Sequence, residues 1–325
     1  MQMNHKVAAI RAILALSALP MVSCLNSGGS SGENDGPVQN LYGRFKVDLV
    51  EVFTSGGDTI SPAYASLIGR VADGPTPSNL AWTDTDSSGV CRLRVPRAPF
   101  CDPGCGSAAV CVADNVCQAY PKGLDVGTVT VKGLKDTGGV SSFKMTPGAG
   151  LNYQVPVGTS LAFPPFTEGG TITVSAAGKD TVHAFTLSAK GMKPLKVLYD
   201  SITFVDGEPA TLQWEAKGSS GTSSIFAQVD ISHHGGLKGV IECEGPDNGQ
   251  MVIPASLITK LKALGMAGFP VVELTRYVSG GKEGMSTELR VESRVNRPIS
   301  IPGIVSCFGD EECGSGQVCE ANKCQ

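Results

Sequence analysis

Apolar and polar residues alternate along most of this chain. Phe45, Val47 and Leu49 alternate with Lys46 and Asp48, Val129 and Val131 with Thr128, Thr130 and Lys132, and Ile172 and Val174 with Thr171, Thr173 and Ser175. A period of two places every second side chain on one face, the pattern of a half-buried strand. The same reading covers Ala184 to Ala189, Ile202 to Val205, Thr211 to Trp214, Ile225 to Ser232, Val240 to Cys243, Val271 to Tyr277 and Leu289 to Val295. Gly, Pro, Asn and Asp clusters separate these runs at intervals typical of sandwiches. One stretch has a different period. After Pro254, the residues Leu257, Ile258, Leu261 and Leu264 fall on one helical face, and Gly265 supplies a C-terminal stop. The expected fold is all-β: two β-sandwich (immunoglobulin-like) domains with one short helix, a disulfide-rich insert and a C-terminal disulfide-rich tail.

The chain has 325 residues, with 41 Gly and 20 Pro, and divides most simply near residue 197. The expected plan is a signal peptide over 1–23, a flexible tether over 24–40, and a β-rich domain over 41–196 with a cysteine-rich insert at about 91–121. An immunoglobulin-like sandwich over 197–306 and a cysteine-rich tail over 307–325 complete it. Trp214 is the expected anchor of the second core, since a large aromatic on an inward strand position buries much area.

The N-terminus points to export. Lys6 and Arg11 precede an apolar run from Ala12 to Val22, which is too short to span a bilayer and reads as a segment to be removed. Met21-Val22-Ser23-Cys24 resembles the lipobox cleaved by signal peptidase II, with Met21 standing where Leu is usual. That resemblance implies that Cys24 becomes the first residue and carries acyl chains such as palmitate on its sulfur and its amine. Each buried methylene would contribute about 0.8 kcal/mol, so three chains would hold the protein on a membrane durably. Asn26 to Pro37 is rich in Gly, Ser, Asn and Asp, the composition of a tether. Leu25, rather than Asp, follows Cys24, which by the same resemblance favours the outer membrane of the cell envelope.

Charge narrows the partners. The chain carries 26 basic and 30 acidic residues. A mildly acidic body without a basic stripe offers no electrostatic footprint for nucleic acid. The expected partners are the membrane, through the lipid anchor, and an envelope protein or extracellular ligand.

Ten cysteines remain besides Cys24, an even number in a chain bound for an oxidising compartment. Cys101, Cys105, Cys111 and Cys117 form one cluster, Cys307, Cys313, Cys319 and Cys324 another, and five residues separate the second and third cysteines of each. Such short Gly-rich segments cannot bury enough apolar surface to order themselves, so disulfides are expected. Two four-cysteine zinc sites are the alternative, opposed by the absence of any Cys-x-x-Cys pair.

The tail from Cys307 through Cys313-Gly-Ser-Gly-Gln-Val-Cys319 to Cys324 resembles small cysteine modules of secreted proteins and lipoproteins of myxobacteria. The stretches Cys91-Arg-Leu-Arg-Val-Pro, Pro99-Phe100-Cys101 and Cys117-Gln-Ala-Tyr-Pro121 look like the companion module of a family of such surface lipoproteins. Asp230-Ile-Ser-His-His-Gly-Gly236, Ile241-Glu-Cys243 and Ala267-Gly-Phe-Pro270 extend the likeness. The family has no assigned activity, so the resemblance implies location and class only. Each cluster is expected to close on itself, first to third and second to fourth, although four cysteines admit three pairings. Cys91 and Cys243 are left either bonded to each other or with a buried thiol at Cys243.

Chemistry has few candidates. Asp230, Ser232, His233 and His234, with Glu242 across the presumed hairpin, form the densest constellation. His-His-Gly-Gly between two apolar strands is first a turn signal, since glycine supplies the positive φ of a tight hairpin. Asp230, His233 and His234 are the alternative metal or ligand loop. His183 lies in phase with Phe185 and Leu187 and is expected in the core. The elbow-like Gly28-Gly-Ser30-Ser-Gly32 sits in the tether, where no strand-turn-helix can strain the serine into place. Asp84, Asp86, Ser88 and Gly89 copy the opening of a calcium loop, but Val95 stands where its bidentate Glu belongs, so a strand turn is expected. No catalytic residue and no cofactor is expected. The leading expectation is a non-enzymatic binding or envelope-interaction role. The alternatives are a metal-dependent enzyme or metal-binding protein using the His233/His234 loop and a structural subunit of an envelope assembly.

Overall fold

The computed structural model describes residues 40–55, 58–216, 218, 223–233, 236–266, 268–320 and 322–325. Cys24, the tether before residue 40 and His234 lie outside them. The strands in chain order begin with β1 (Tyr42–Val50), β2 (Phe53–Ser55), β3 (Asp58–Ser61), β4 (Tyr64–Ala72), β5 (Ala81–Ser88), β6 (Cys91–Arg97), β7 (Ala109–Ala113) and β8 (Val116–Ala119). Next come β9 (Val129–Lys132), β10 (Ser142–Met145), β11 (Asn152–Gln154), β12 (Thr171–Ala176), β13 (Phe185–Lys190), β14 (Ile202–Thr203) and β15 (Ala210–Gln213). The last are β16 (Ser224–Asp230), β17 (Val240–Pro246), β18 (Gln250–Ile253), β19 (Val271–Gly281), β20 (Ser286–Ser300), β21 (Cys319–Glu320) and β22 (Lys323–Cys324). Helix α1 (Ala255–Ala263) stands between β18 and β19.

One large sheet organises the body, in the order β11-β4-β1-β20-β19-β16-β17-β6-β5, with β14 also pairing β20. It joins distant parts of the chain: β1 runs parallel to β20, with Phe45 opposite Leu289 and Val47 opposite Val291. Successive strand residues point to opposite faces. On one face lie Phe45, Val47 and Leu49 of β1 and Leu289, Val291 and Val295 of β20, all nearly or fully buried. Lys46, Asp48, Arg290, Glu292 and Arg294 occupy the other.

Two layers cover different halves of the apolar face. The β10-β9-β12-β13 sheet lays Val129, Val131, Ile172, Val174 and Leu187 over β1, β4 and the start of β20, forming the first core. The antiparallel β15–β18 pair and α1 lay Leu212, Ile253, Leu257 and Leu261 over β6, β16, β17 and β19, forming the second. The fold is all-β, two sandwiches built on a common sheet.

That sharing corrects the expected domain boundary. The covering layers change close to residue 197, since Met192 packs in the first core and Leu195 in the second. The sheet beneath does not change there. Val278 and Leu274 of β19, and Val291 and Val295 of β20, serve different cores from single strands. The described residues, from 40 to 325, accordingly form one unit rather than two. Local periodicity marks each strand but carries no information about its partner 244 residues away.

Other expectations meet the structure individually. Trp214 is 2% exposed within the second core. Helix α1 buries Leu257, Ile258 and Leu261, and Gly265 follows with φ +93°. His183 is exposed, contrary to expectation: β13 begins only at Phe185, and His183 lies beyond the Lys179–Val182 bridge, outside the alternating strand. Gly89, with φ +60°, turns β5 into β6, and Arg94 and Lys260 engage Asp84 and Asp86. The cysteine-rich insert is narrower than 91–121, because residues 91–97 form β6 in the large sheet.

Five disulfides use all ten described cysteines: Cys101–Cys111, Cys105–Cys117, Cys307–Cys319, Cys313–Cys324 and Cys91–Cys243. The last joins directly paired residues of β6 and β17 on the buried face. The two small modules share one pairing scheme and each contains a hairpin, β7–β8 or β21–β22.

Candidate functional site

His233 stands at a turn just after β16. Asp230 Oδ1, at the end of β16, accepts hydrogen bonds from the Ser232 backbone N–H (2.8 Å) and hydroxyl (3.0 Å), and Ser232 Oγ accepts from Lys238 N–H (3.1 Å). His233 Nδ1 stands 3.8 Å from Asp230 Oδ2. Glu242 belongs elsewhere. Its strand partner is Gln228 rather than Asp230, and its carboxylate accepts from Arg92 (2.9 Å) and Arg94 (3.0 Å). Among the described residues, three metal-ligand atoms converge only at Cys101, Cys105 and Cys117 and at Cys307, Cys313 and Cys324. All six sulfurs are in disulfides, which removes the thiolates that zinc requires.

The face of the large sheet opposite the two cores, which no element of the described residues covers, is the chemically dense surface. Lys46 Nζ reaches Asp48 (3.1 Å) and Glu292 (3.0 Å), Arg294 reaches Asp48 (2.6 Å), and Arg290 reaches Glu292 (3.0 Å). The Arg290 guanidinium lies 3.7 Å from the centre of the Tyr277 ring, and the Tyr277 hydroxyl donates to Glu244. Farther along, Arg92 and Arg94 hold Glu242, while Arg94 also reaches Asp84 (3.0 Å) and sits over Trp82. Asp48, Glu292 and Glu242 are only 7%, 6% and 9% exposed. The stems of the long basic side chains shield them while the charged heads pair with them. The hydrogen bond from Arg294 to Asp48 raises the arginine pKa despite burial, and the one that Arg92 donates to Glu242 does the same for Arg92. Each of these carboxylates is paired with arginine or lysine side chains.

One end of this face deepens into a pocket of about 740 Å³. Its floor is made by the ends of β4, β1, β20 and β19, with Arg70, Arg44, Tyr42 and Ser279 on the same side of the sheet. A close approach sets the floor: an added Cβ at Gly43 would stand 2.2 Å from the Arg70 carbonyl oxygen. Arg44 and Arg70 are direct cross-strand partners. Arg44 Nε donates to Glu288 (2.6 Å), whereas Arg70 is exposed and makes no ion pair among the described residues. Gly74, Pro75, Thr76 and Pro121 form the wall. The first cysteine module braces it, since Gln118 Nε2 donates to Pro75 O (3.2 Å) next to the Cys105–Cys117 bond, and Lys122 N–H donates to Asp73 (2.7 Å).

Sequence reasoning did not single out Arg44, Arg70 or Tyr42. The only local signal is an alternating run in which the polar positions are long and basic. The pocket exists because the ends of four strands and two loop segments from separate regions of the chain meet.

No family model matches the chain, and no curated protein matches it. Among solved structures, the chain is similar to a tetra-tandem repeat from the extending region of a large adhesion protein. The identity is 15% over 82% of this chain and 76% of that one, with a TM-score of 0.18. It is also similar to the chicken CNTN1 FN1–FN3 domains, at 8% identity over 76% of this chain and 83% of that one, with a TM-score of 0.21. Among the described residues, no helix is long and apolar enough to cross a membrane.

Proposed function

We propose that this chain is a lipid-anchored extracytoplasmic binding protein without catalytic chemistry of its own, tethered through Cys24 to the outer membrane. It would engage an envelope component or extracellular ligand on the open face of its large sheet. The observation that carries this reading is the pocket at the end of that face, where a rigid strand floor presents Arg44 and Arg70 beside a single carboxylate, Glu288. Preorganised polar groups on strands suit recognition. The disulfide bonding of all ten described cysteines supports an oxidising compartment.

Two measurements test it. Replacing Cys24 with Ala should abolish palmitate labelling and release the protein from the membrane fraction; retained labelling refutes the anchor. The released Cys24→Ala chain, fluorescently labelled, should bind isolated cell envelopes saturably, and the added pair Arg44→Ala/Arg70→Ala should lose that binding. Unsaturable binding, or binding indifferent to both arginines, refutes the assignment of the face.

A further inference from the structure

Two guanidinium groups directly opposite each other on neighbouring strands repel, and their Cβ atoms are only about 5 Å apart. Arg44 and Arg70 are held in that relationship by the β1–β4 register, and Glu288 neutralises one of them. The pocket floor therefore carries an unbalanced positive charge, and the planar donors of a guanidinium match an oxyanion. Repulsion between like charges held on facing strand positions is relieved when an anion binds between them.

The rest of the lining says what carries the anion. The Tyr42 ring and the Pro75, Pro121 and Met285 side chains offer apolar contact, while Thr76 and Ser279 offer hydroxyls around it. A volume of about 740 Å³ falls in the ordinary range for small-molecule sites. Neighbouring aromatic, apolar and hydroxyl groups suit a pyranose, which has an apolar C–H face and an equatorial rim of hydroxyls. An extended peptide is disfavoured, because β1 and β20 are paired on both sides and offer no free strand edge.

We propose that this pocket binds an acidic saccharide, its carboxylate or phosphate oxygens held between Arg70 and Arg44 and its ring resting on Tyr42. The proposal rests on the binding role above and names the ligand class. The test uses the full Cys24→Ala chain with three probes by titration calorimetry: trigalacturonate, glucose 6-phosphate and the neutral maltotriose. Saturable binding of trigalacturonate, weakened about tenfold or more by Arg70→Ala and by raised salt, is the expected result. Binding of glucose 6-phosphate with the same Arg70 dependence assigns the phosphate as the anion. Binding of neither anion, equal binding of maltotriose, or undiminished binding by Arg70→Ala overturns the proposal. Arg70 is exposed, so an unchanged thermal midpoint for that variant separates loss of binding from loss of fold. Arginine-dependent binding to whole envelopes without binding of either anionic probe would overturn the saccharide assignment and leave the binding role standing.

Discussion

Arg276 Nε donates to Asp247 Oδ2 at 2.6 Å, and neither side chain is exposed to solvent. This pair lies at the seam between the two cores. On β19, Arg276 separates Leu274 of the second core from Val278 of the first, and its cross-strand partner Ser293 separates Val295 from Val291. The chain crosses from one covering layer to the other over this point. Arg276 donates to the carbonyls of Lys193 and Pro194 (both 3.1 Å), and Ser293 Oγ accepts from Leu195 N–H (3.0 Å). Asp247 also accepts from Trp214 Nε1 (2.7 Å) and Ser223 (2.6 Å). A crossing segment pressed between two apolar cores would otherwise hide backbone groups without partners.

Removing either charge should therefore be costly. Asp247→Asn or Arg276→Met is expected to lower unfolding free energy by about 3–5 kcal/mol, because each leaves the other charge buried and uncompensated. Burial raises the Asp247 pKa, but hydrogen bonds from Arg276, Ser223 and Trp214 outweigh it, so the net shift is below the ordinary 3.8. Its stabilisation is present above pH 3.8 and lost as pH falls through the lower native value. Urea unfolding across acid pH should show a decline that Asp247→Asn flattens.

Phe45 packs its ring on Gly69, its direct partner on β4, and a Cβ at Gly69 would stand 2.1 Å from the ring. Gly69→Ala should cost about 1–3 kcal/mol by overpacking. Gly139→Ala is the control. It has no heavy atom within 4 Å of its added Cβ, so its cost is limited to the strain of φ +85°. Chemical denaturation of both variants measures the difference.

Tyr153 is fully buried in the first core, and its hydroxyl accepts from Val126 N–H at 2.9 Å. Burial, together with the Asp125 charge, pushes its pKa from 10.0 up to about 12. The folded state thus holds this proton more tightly than the unfolded chain. Its contribution is complete below pH 10 and is lost as pH rises towards 12. Tyr153→Phe should destabilise by about 1–3 kcal/mol at neutral pH, since the Val126 N–H loses its acceptor. It should also reduce the alkaline loss seen by thermal melts between those pH values.

The disulfides should separate into global and local ones. Cys91–Cys243 spans 152 residues inside the large sheet, so Cys91→Ala/Cys243→Ala is expected to cost about 2–5 kcal/mol of global stability. Cys313→Ser/Cys324→Ser opens a bond spanning only 11 residues in the tail. It should make the tail protease-sensitive while leaving the thermal midpoint of the body unchanged. A matching fall in both variants would show that the tail supports the cores.

Local chemistry determined much of this molecule by itself. Phe45, Val47 and Leu49, or Ile172 and Val174, alternate because a strand must bury one face, and that requirement is written residue by residue. The helix after Pro254 and its stop at Gly265 depend on neighbours within a few turns. The even cysteine count likewise signalled a disulfide framework. Tertiary structure decided what those elements do together. Nothing local tells β1 to lie beside β20, because a strand's hydrogen-bonding groups are the same for any partner and register follows the summed fit of both cores. His183 showed the limit of periodicity, for its phase continued where the strand did not. Arg276 reads in sequence as another charged strand residue, and only the meeting of two cores makes it interior. Arg44 and Arg70 face each other because β1 and β4 pair in one register, so the pocket is a property of the assembled sheet rather than of either strand.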